Sequence, residues 1–334
     1  MTENQVDKSS CRSDIDSPFH AGERAVQERV GVREKVEPYG RRGIRDHMPQ
    51  QHREFFEKLP FLIVAAADIE QRLWAGMLAG EPGFMQSPGP TQLRVQAAPA
   101  FGDPLNRTWH DGSPIGCLGI ELHTRRRNRL NGVMALDDDG GAFTLAVDQS
   151  FGNCPKYIQA REPRFLQPPS AQGRPRKVRH FTAWDDQVAN ILRHADTFFV
   201  ASQYGRAAGD AREGVDVSHR GGPPGFVALR DAKTLVWPDY RGNFFFNTLG
   251  NLALNPRCGL LVIDFASADT VQLTGAAHVV WDWDRDDPVP AGAQRMVQFE
   301  LEAGVHIECG SPFTWEFQGT APQFAPTEGA HDRG

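Results

Sequence analysis

A chain of 334 residues is longer than a single hydrophobic core usually supports, so two compact domains are expected. The formal net charge of −6 and the pI near 6.0 argue against a protein that coats nucleic acid, and the longest apolar run, Phe61 to Ala67, is too short to span a bilayer. Five scattered cysteines with no C-x-x-C pair oppose a disulfide framework and a metal centre, and the polar N-terminus has no apolar signal core, so the expectation is a cytoplasmic protein.

Residues 1–17 are charged and polar without a hydrophobic period and are expected to lack a fold. From Phe19, FHAGERAVQERVGVREKV has helical character, with Gly40 and Gly43 at its exit, so residues 1–48 read as a tail and helical arm. A second helix over Pro49–Lys58 precedes the strand Phe61–Ala67 and opens a domain over residues 49–165. The stretch 161–180 is rich in proline and basic residues, which places a surface linker at 166–181. A second domain follows over 182–320, with a tail at 321–334. Its first helix carries Trp184, Val188, Ile191 and Leu192 as one apolar stripe and leads into TFFVASQ.

The two halves repeat. GCLGIELHTRRRNRLNG (116–132) aligns without a gap on GLLVIDFASADTVQLTG (259–275), a constant offset of 143 (259 − 116 = 275 − 132). Each segment reads as a buried strand, a polar turn and a second strand closing on glycine. Upstream, Val64 and Ala65 match Val200 and Ala201, and AFGDPL lies where YRGNFF lies in the second half. Short strands between Gly/Pro/Asn/Asp turns, with one helix before each set, fit mainly β architecture with flanking helices, two small antiparallel barrels in tandem. No G-x-G-x-x-G follows a strand and no Walker A motif occurs, which disfavours dinucleotide-binding and P-loop folds.

The chemistry concentrates between Asp216 and Gly275. DVSHRGGPPGF and PDYRGNFFFNTLGNL combine Ser218, Arg220, Arg241 and Thr248, which can bond phosphate oxygens, with glycines that let backbone N–H groups approach an anion. His219 is the only histidine inside a motif. His110, His123, His278 and His306 lack ligand spacing, and Cys154 reads as a small buried hydrophobe. A solvated hairpin is the plain alternative for Arg125, Arg126 and Arg127, although three adjacent arginines repel unless an anion sits nearby.

On DVSHRGG, PDYRGN, NTLGNL with NPR, LLVIDF and QLTGAA, the second half resembles the pyridoxamine 5′-phosphate oxidase-like, FMN-binding split-barrel superfamily. The first half resembles the divergent partner barrel of tandem members. The resemblance implies tandem six-stranded split barrels, paired as an internal pseudo-dimer or a homodimer, with FMN in the groove between barrels. It implies cofactor contacts from Ser218, His219, Arg220 and Gly221, from Asp239, Tyr240, Arg241, Gly242 and Asn243, and from Asn247 and Thr248. Arg125, Arg126, Arg127, Asn128, Asn153, Lys156 and Tyr157 would close the facing wall or form a second pocket. The resemblance further implies an FMN-dependent oxidoreductase serving a small-molecule substrate or a redox partner protein, while composition and spacing leave no nucleic acid, membrane or metal expected. The Arg-Leu-x-Pro run with which true pyridoxamine phosphate oxidases grip substrate is absent, so vitamin B6 oxidation is not implied. A non-catalytic flavin, deazaflavin or haem-binding module is the alternative.

Overall fold

Two short helices precede the first strand. In the computed structural model, which describes residues 17–107, 109–137, 141–205, 210–282 and 290–324, the arm is broken into α1 (Ala21–Arg29) and α2 (Arg33–Gly43) instead of running as one helix. The break is at Gly31, whose φ of 71° ends α1 in the left-handed conformation while the Val32 N–H bonds back to the Gln27 carbonyl. Apart from Ser17, the N-terminal stretch expected to lack a fold lies outside the described residues. Helix α3 (Gln50–Lys58) starts after Pro49.

The first sheet contains β1 (Phe61–Ala67), β2 (Leu73–Ala79), β3 (Met85–Gly89), β4 (Gln92–Val95), β5 (Pro114–Glu121), β6 (Arg126–Leu136) and β7 (Phe143–Gly152), in the antiparallel order β2-β1-β5-β6-β7-β4-β3. A 3-10 turn, Pro104–Arg107, lies between β4 and β5. Strands β8 (Ala160–Phe165) and β9 (Val178–Phe181) lead to α4 (Asp186–His194). The second sheet contains β10 (Thr197–Tyr204), β11 (Gly214–Gly221), β12 (Ala228–Leu229), β13 (Thr234–Tyr240), β14 (Arg257–Ile263), β15 (Thr270–Val280) and β16 (Ala293–Ile307), with α5 (Asn247–Leu254) between β13 and β14. Its order, β11-β10-β14-β15-β16-β13-β12, is that of the first sheet strand for strand. Each path has seven strands where six were expected, the extra one being the short outermost β3 or β12. Within the expected linker, β9 pairs with β16, and β17 (Phe313–Gly319) returns to pair with β8.

The repeat holds at the level of register. Cys117 faces Leu130 across β5 and β6, and Leu260 faces Leu273 across β14 and β15, both offset by 143 (260 − 117 = 273 − 130). The bulge between Asn131 and Gly132 recurs between Thr274 and Gly275.

Strands at the junction are buried on both faces, which is why FLIVAAA and TFFVASQ read as unbroken apolar runs. Leu62, Val64 and Ala66 enter the first barrel's core, whereas Phe61, Ile63 and Ala65 join Phe199, Ala201, Val215, Val217, Leu261 and Ile263 in a separate apolar layer between the halves. Two equivalent glycines set that spacing. A Cβ on Gly116 would stand 2.8 Å from the Val215 carbonyl of β11, and one on Gly259 would stand 2.5 Å from the Leu73 carbonyl of β2. Each barrel thus presses β5 or β14 against the other's second strand.

Candidate functional site

The cleft lies where β6 and the loop after β7 in the first barrel face β11, the end of β13 and the start of α5 in the second. Strand alternation decides which side chains reach it. On β11, Asp216, Ser218 and Arg220 share one face, while Val215 and Val217 fill the layer between barrels. On β6, Arg127 and Arg129 line the cleft, whereas Arg126 lies over the Phe55 ring and donates to the Gln51 carbonyl. Arg125 also turns away, donating to the Ile158 and Thr320 carbonyls.

Arg129 is the hub. It donates to the Asn247 Oδ1 at 2.8 Å and to the Ser218 hydroxyl, and its Nε is 3.1 Å from the Asp216 carboxylate. Thr248 donates to the same Ser218 oxygen at 2.9 Å, tying the first turn of α5 to β11. From the N-terminal arm, Glu23 accepts from Asn247, and burial pushes its carboxyl up to about 8. Arg129 and Glu23 were not singled out from the sequence; for Arg129 the signal was present, two residues beyond Arg127 on a strand of period two.

Charge in the cleft is unevenly matched. Asp216 is paired with Arg129, and Asp239 with Arg220 at 2.7 Å and Arg295 at 3.5 Å. Among the described residues, Arg127 and Lys156 have no carboxylate partner. Arg127 donates only to the carbonyls of Cys154 (2.8 Å) and His219 (3.4 Å), and burial draws its guanidinium down to about 9. Helix α5 adds to this field. No acid occupies its first turn and no side chain caps it, and Asn247, Thr248 and Leu249 border the cleft.

His219 is buried, packed edge-on to Phe199, with no partner for either ring nitrogen among the described residues. Burial, reinforced by Arg127, Arg220 and Arg161, holds it well below the ordinary histidine range, so the ring is neutral at pH 7. The loop Gly242–Phe246 closes one end, with Phe244 and Phe246 at φ 65° and 62°, a conformation that costs non-glycine residues and is retained where surroundings enforce it. Tyr157 and Tyr240 stack at 5.0 Å at the mouth, and Phe324 packs on both.

The structure therefore brings together Ser218, His219, Arg220, Gly221, Asp239, Tyr240, Gly242, Asn243, Asn247, Thr248, Arg127 and Lys156. Arg125 and Arg126 do not line the cleft. Arg241 sits at the rim, exposed over the Phe244 ring, its carbonyl accepting from the Tyr157 hydroxyl. Among the described residues no cluster of three or more His, Cys, Asp or Glu could hold a metal ion, and no helix is long and apolar enough to cross a membrane.

A search of curated proteins gave no match. Among solved structures, the chain is similar to a putative pyridoxamine 5′-phosphate oxidase from Lactobacillus delbrueckii (17% identity, 37% of this chain and 94% of that one, TM-score 0.27). It is also similar to a FAD-binding protein from Mesorhizobium loti (14% identity, 39% and 98%, TM-score 0.26) and to HupZ from Group A Streptococcus (13% identity, 41% and 98%, TM-score 0.27). Residues 184–306, which run from just before α4 to the penultimate residue of β16, match the family model described as pyridoxamine 5′-phosphate oxidase. With its mainly antiparallel barrel and its composite cleft, this second half belongs to the pyridoxamine 5′-phosphate oxidase-like split-barrel superfamily.

Proposed function

We propose that the chain is an FMN-binding flavoprotein whose cofactor lies in the cleft between the barrels, and that it acts as an oxidoreductase toward a small acceptor or a partner protein. The observation that carries this reading is the unbalanced cation set. Arg127 and Lys156 lack acidic partners beside an uncapped helix start, which suits a phosphate monoester of up to two negative charges. The orphan ring nitrogens of His219 suit a ligand that offers both hydrogen-bond donors and acceptors, as a flavin edge does.

The isoalloxazine ring, when bound, supplies the exchange of an electron pair or single electrons. The chain's own residues bind and orient. Arg127, Lys156 and the first turn of α5 would take the phosphate, while Ser218, Thr248 and Asn247, already fixed by Arg129, present hydroxyl and amide groups. Neutral His219 can donate from one nitrogen and accept at the other, and the Tyr157–Tyr240 stack presents aromatic surface at the mouth. Purified protein is expected to show a flavin absorption band, to release FMN on heating, and to be bleached by NADH or NADPH. A colourless protein that takes up no added FMN would remove the reading, and a flavin that no nicotinamide donor reduces would leave binding without the proposed turnover.

A further inference from the structure

Two barrels of one topology, pressed together reciprocally through Gly116 and Gly259, generate two equivalent clefts. The residue at each position of the second can be read from strand register. Val64 pairs with Gly76 on β2 and with Cys117 on β5; its counterpart Val200 pairs with Ser218 on β11 and with Leu260 on β14. Gly76, Met77 and Leu78 therefore stand where Ser218, His219 and Arg220 stand. On the fourth strand of each set, Leu93 and Leu235 hold the same place, because each pairs with the residue that in turn faces Met134 or its equivalent Ala277. Counting on four residues puts Ala97 at the position of Asp239. The offset of 143 puts Thr270 and Gln272 at the positions of Arg127 and Arg129.

Arg127, Arg129, His219, Arg220 and Asp239 are thus all replaced by uncharged, ringless residues. The Arg220–Asp239 ion pair corresponds to Leu78 and Ala97, both packed in the first barrel's core. At the Ser218 position the space is also taken: Leu105 and Asp103, from the 3-10 turn and the residue before it, crowd Gly76, where an added Cβ would stand 2.5 Å and 2.8 Å from them, and the cavity left beside them is bordered by the carboxylates of Asp68, Glu70 and Asp103 as well as by Arg72 and Arg107. Gln272 donates to Asp103 at 3.0 Å and to the Ala75 carbonyl at 2.9 Å, so the Arg129 hub becomes a neutral amide turned onto a carboxyl. A carboxyl in place of guanidinium groups repels phosphate.

We infer that the chain holds one flavin, not two, the first barrel having given up its own cofactor cleft while supplying Arg127, Arg129 and Lys156 to that of the second. This rests on the flavin reading above. The test is a titration of the full chain with FMN, at protein concentrations well above the dissociation constant, read by quenching of flavin fluorescence. A break at one FMN per chain is expected, together with loss of all tight uptake in an Arg127→Ala, Arg220→Ala double variant that keeps the wild-type circular dichroism spectrum. A break at two would overturn the single-site inference and leave the flavin reading standing, whereas one equivalent surviving in the double variant would overturn the assignment of that one flavin to this cleft. No saturable uptake by the wild type would overturn both.

Discussion

At the scale of residues, Arg127 is the side chain on which ligand binding should depend most, because its protein partners are carbonyl oxygens that leave its charge unmatched. A hydrogen bond to a charged group contributes roughly 1.5–3 kcal/mol, so Arg127→Ala is expected to weaken FMN about 10- to 150-fold, measured by fluorescence titration. Arg129→Met should act differently. It strips Asp216 of its cationic partner and Asn247 of one hydrogen bond in a buried setting, and removing one member of a buried ion pair costs about 3–5 kcal/mol, so urea unfolding should register it before any ligand is added. In the sequence the run of three arginines marks the hairpin that borders the cleft, and of the three only Arg127 lines it. Strand alternation sends Arg126 to Phe55 and keeps Arg127 and Arg129 at the cleft, a distinction that needed the strand's exact start. Glu23 could not have been found that way, since only packing of the arm places it against Asn247.

At the scale of elements, the docking of α1 on α5 makes the N-terminal arm part of the site. Gly22 and Gly250 meet there so closely that a Cβ on Gly22 would stand 2.1 Å from the Gly250 carbonyl. Burial raises Glu23 to about 8, above its ordinary value near 4.5, so the folded state holds a proton there that the unfolded state has released. Stability from this group is fully present below pH 4.5 and is lost as the pH rises through 8. Glu23→Gln should flatten that alkaline loss in melting curves taken from pH 6.5 to 9, at a cost of about 1 kcal/mol for the weakened His20 N–H contact. Gly259→Ala should destabilise by roughly 1–3 kcal/mol in urea, because β2 must move to admit the methyl group. The arm's helical character was legible from its pattern, but its break at Gly31 was not, since valine pairs four apart stand on both sides of the turn, Val26 and Val30 before it and Val32 and Val36 after it.

At the scale of the whole molecule, the tandem organisation was the most legible feature, because a gapless offset of 143 over two strands and their turn survives as identical register in both sheets. The pairing of β9 with β16 was hidden, because its four residues, VRHF, lie in a proline-rich and basic stretch. The apolar layer between barrels implies that neither half is stable alone: a fragment of residues 182–324 should expose Phe199, Val217 and Leu261 and self-associate in sedimentation experiments. Stability should also depend on pH in a stated way. His20 and His52 are lowered to about 4 and His219 further, so below pH 6.5 the unfolded chain binds protons that the folded chain refuses, and stability falls with pH. Asp103, raised to about 6, and Glu23 oppose this without cancelling it, since three groups act against two. The melting temperature should therefore peak near pH 6.5.

The central claim is that the cleft recognises a flavin through its phosphate, and a comparison of FMN with riboflavin in the same fluorescence titration tests it most directly. FMN should bind at least about 100-fold more tightly, in keeping with two or more charge-assisted hydrogen bonds that riboflavin cannot make. Equal affinities, or preference for riboflavin, would contradict it.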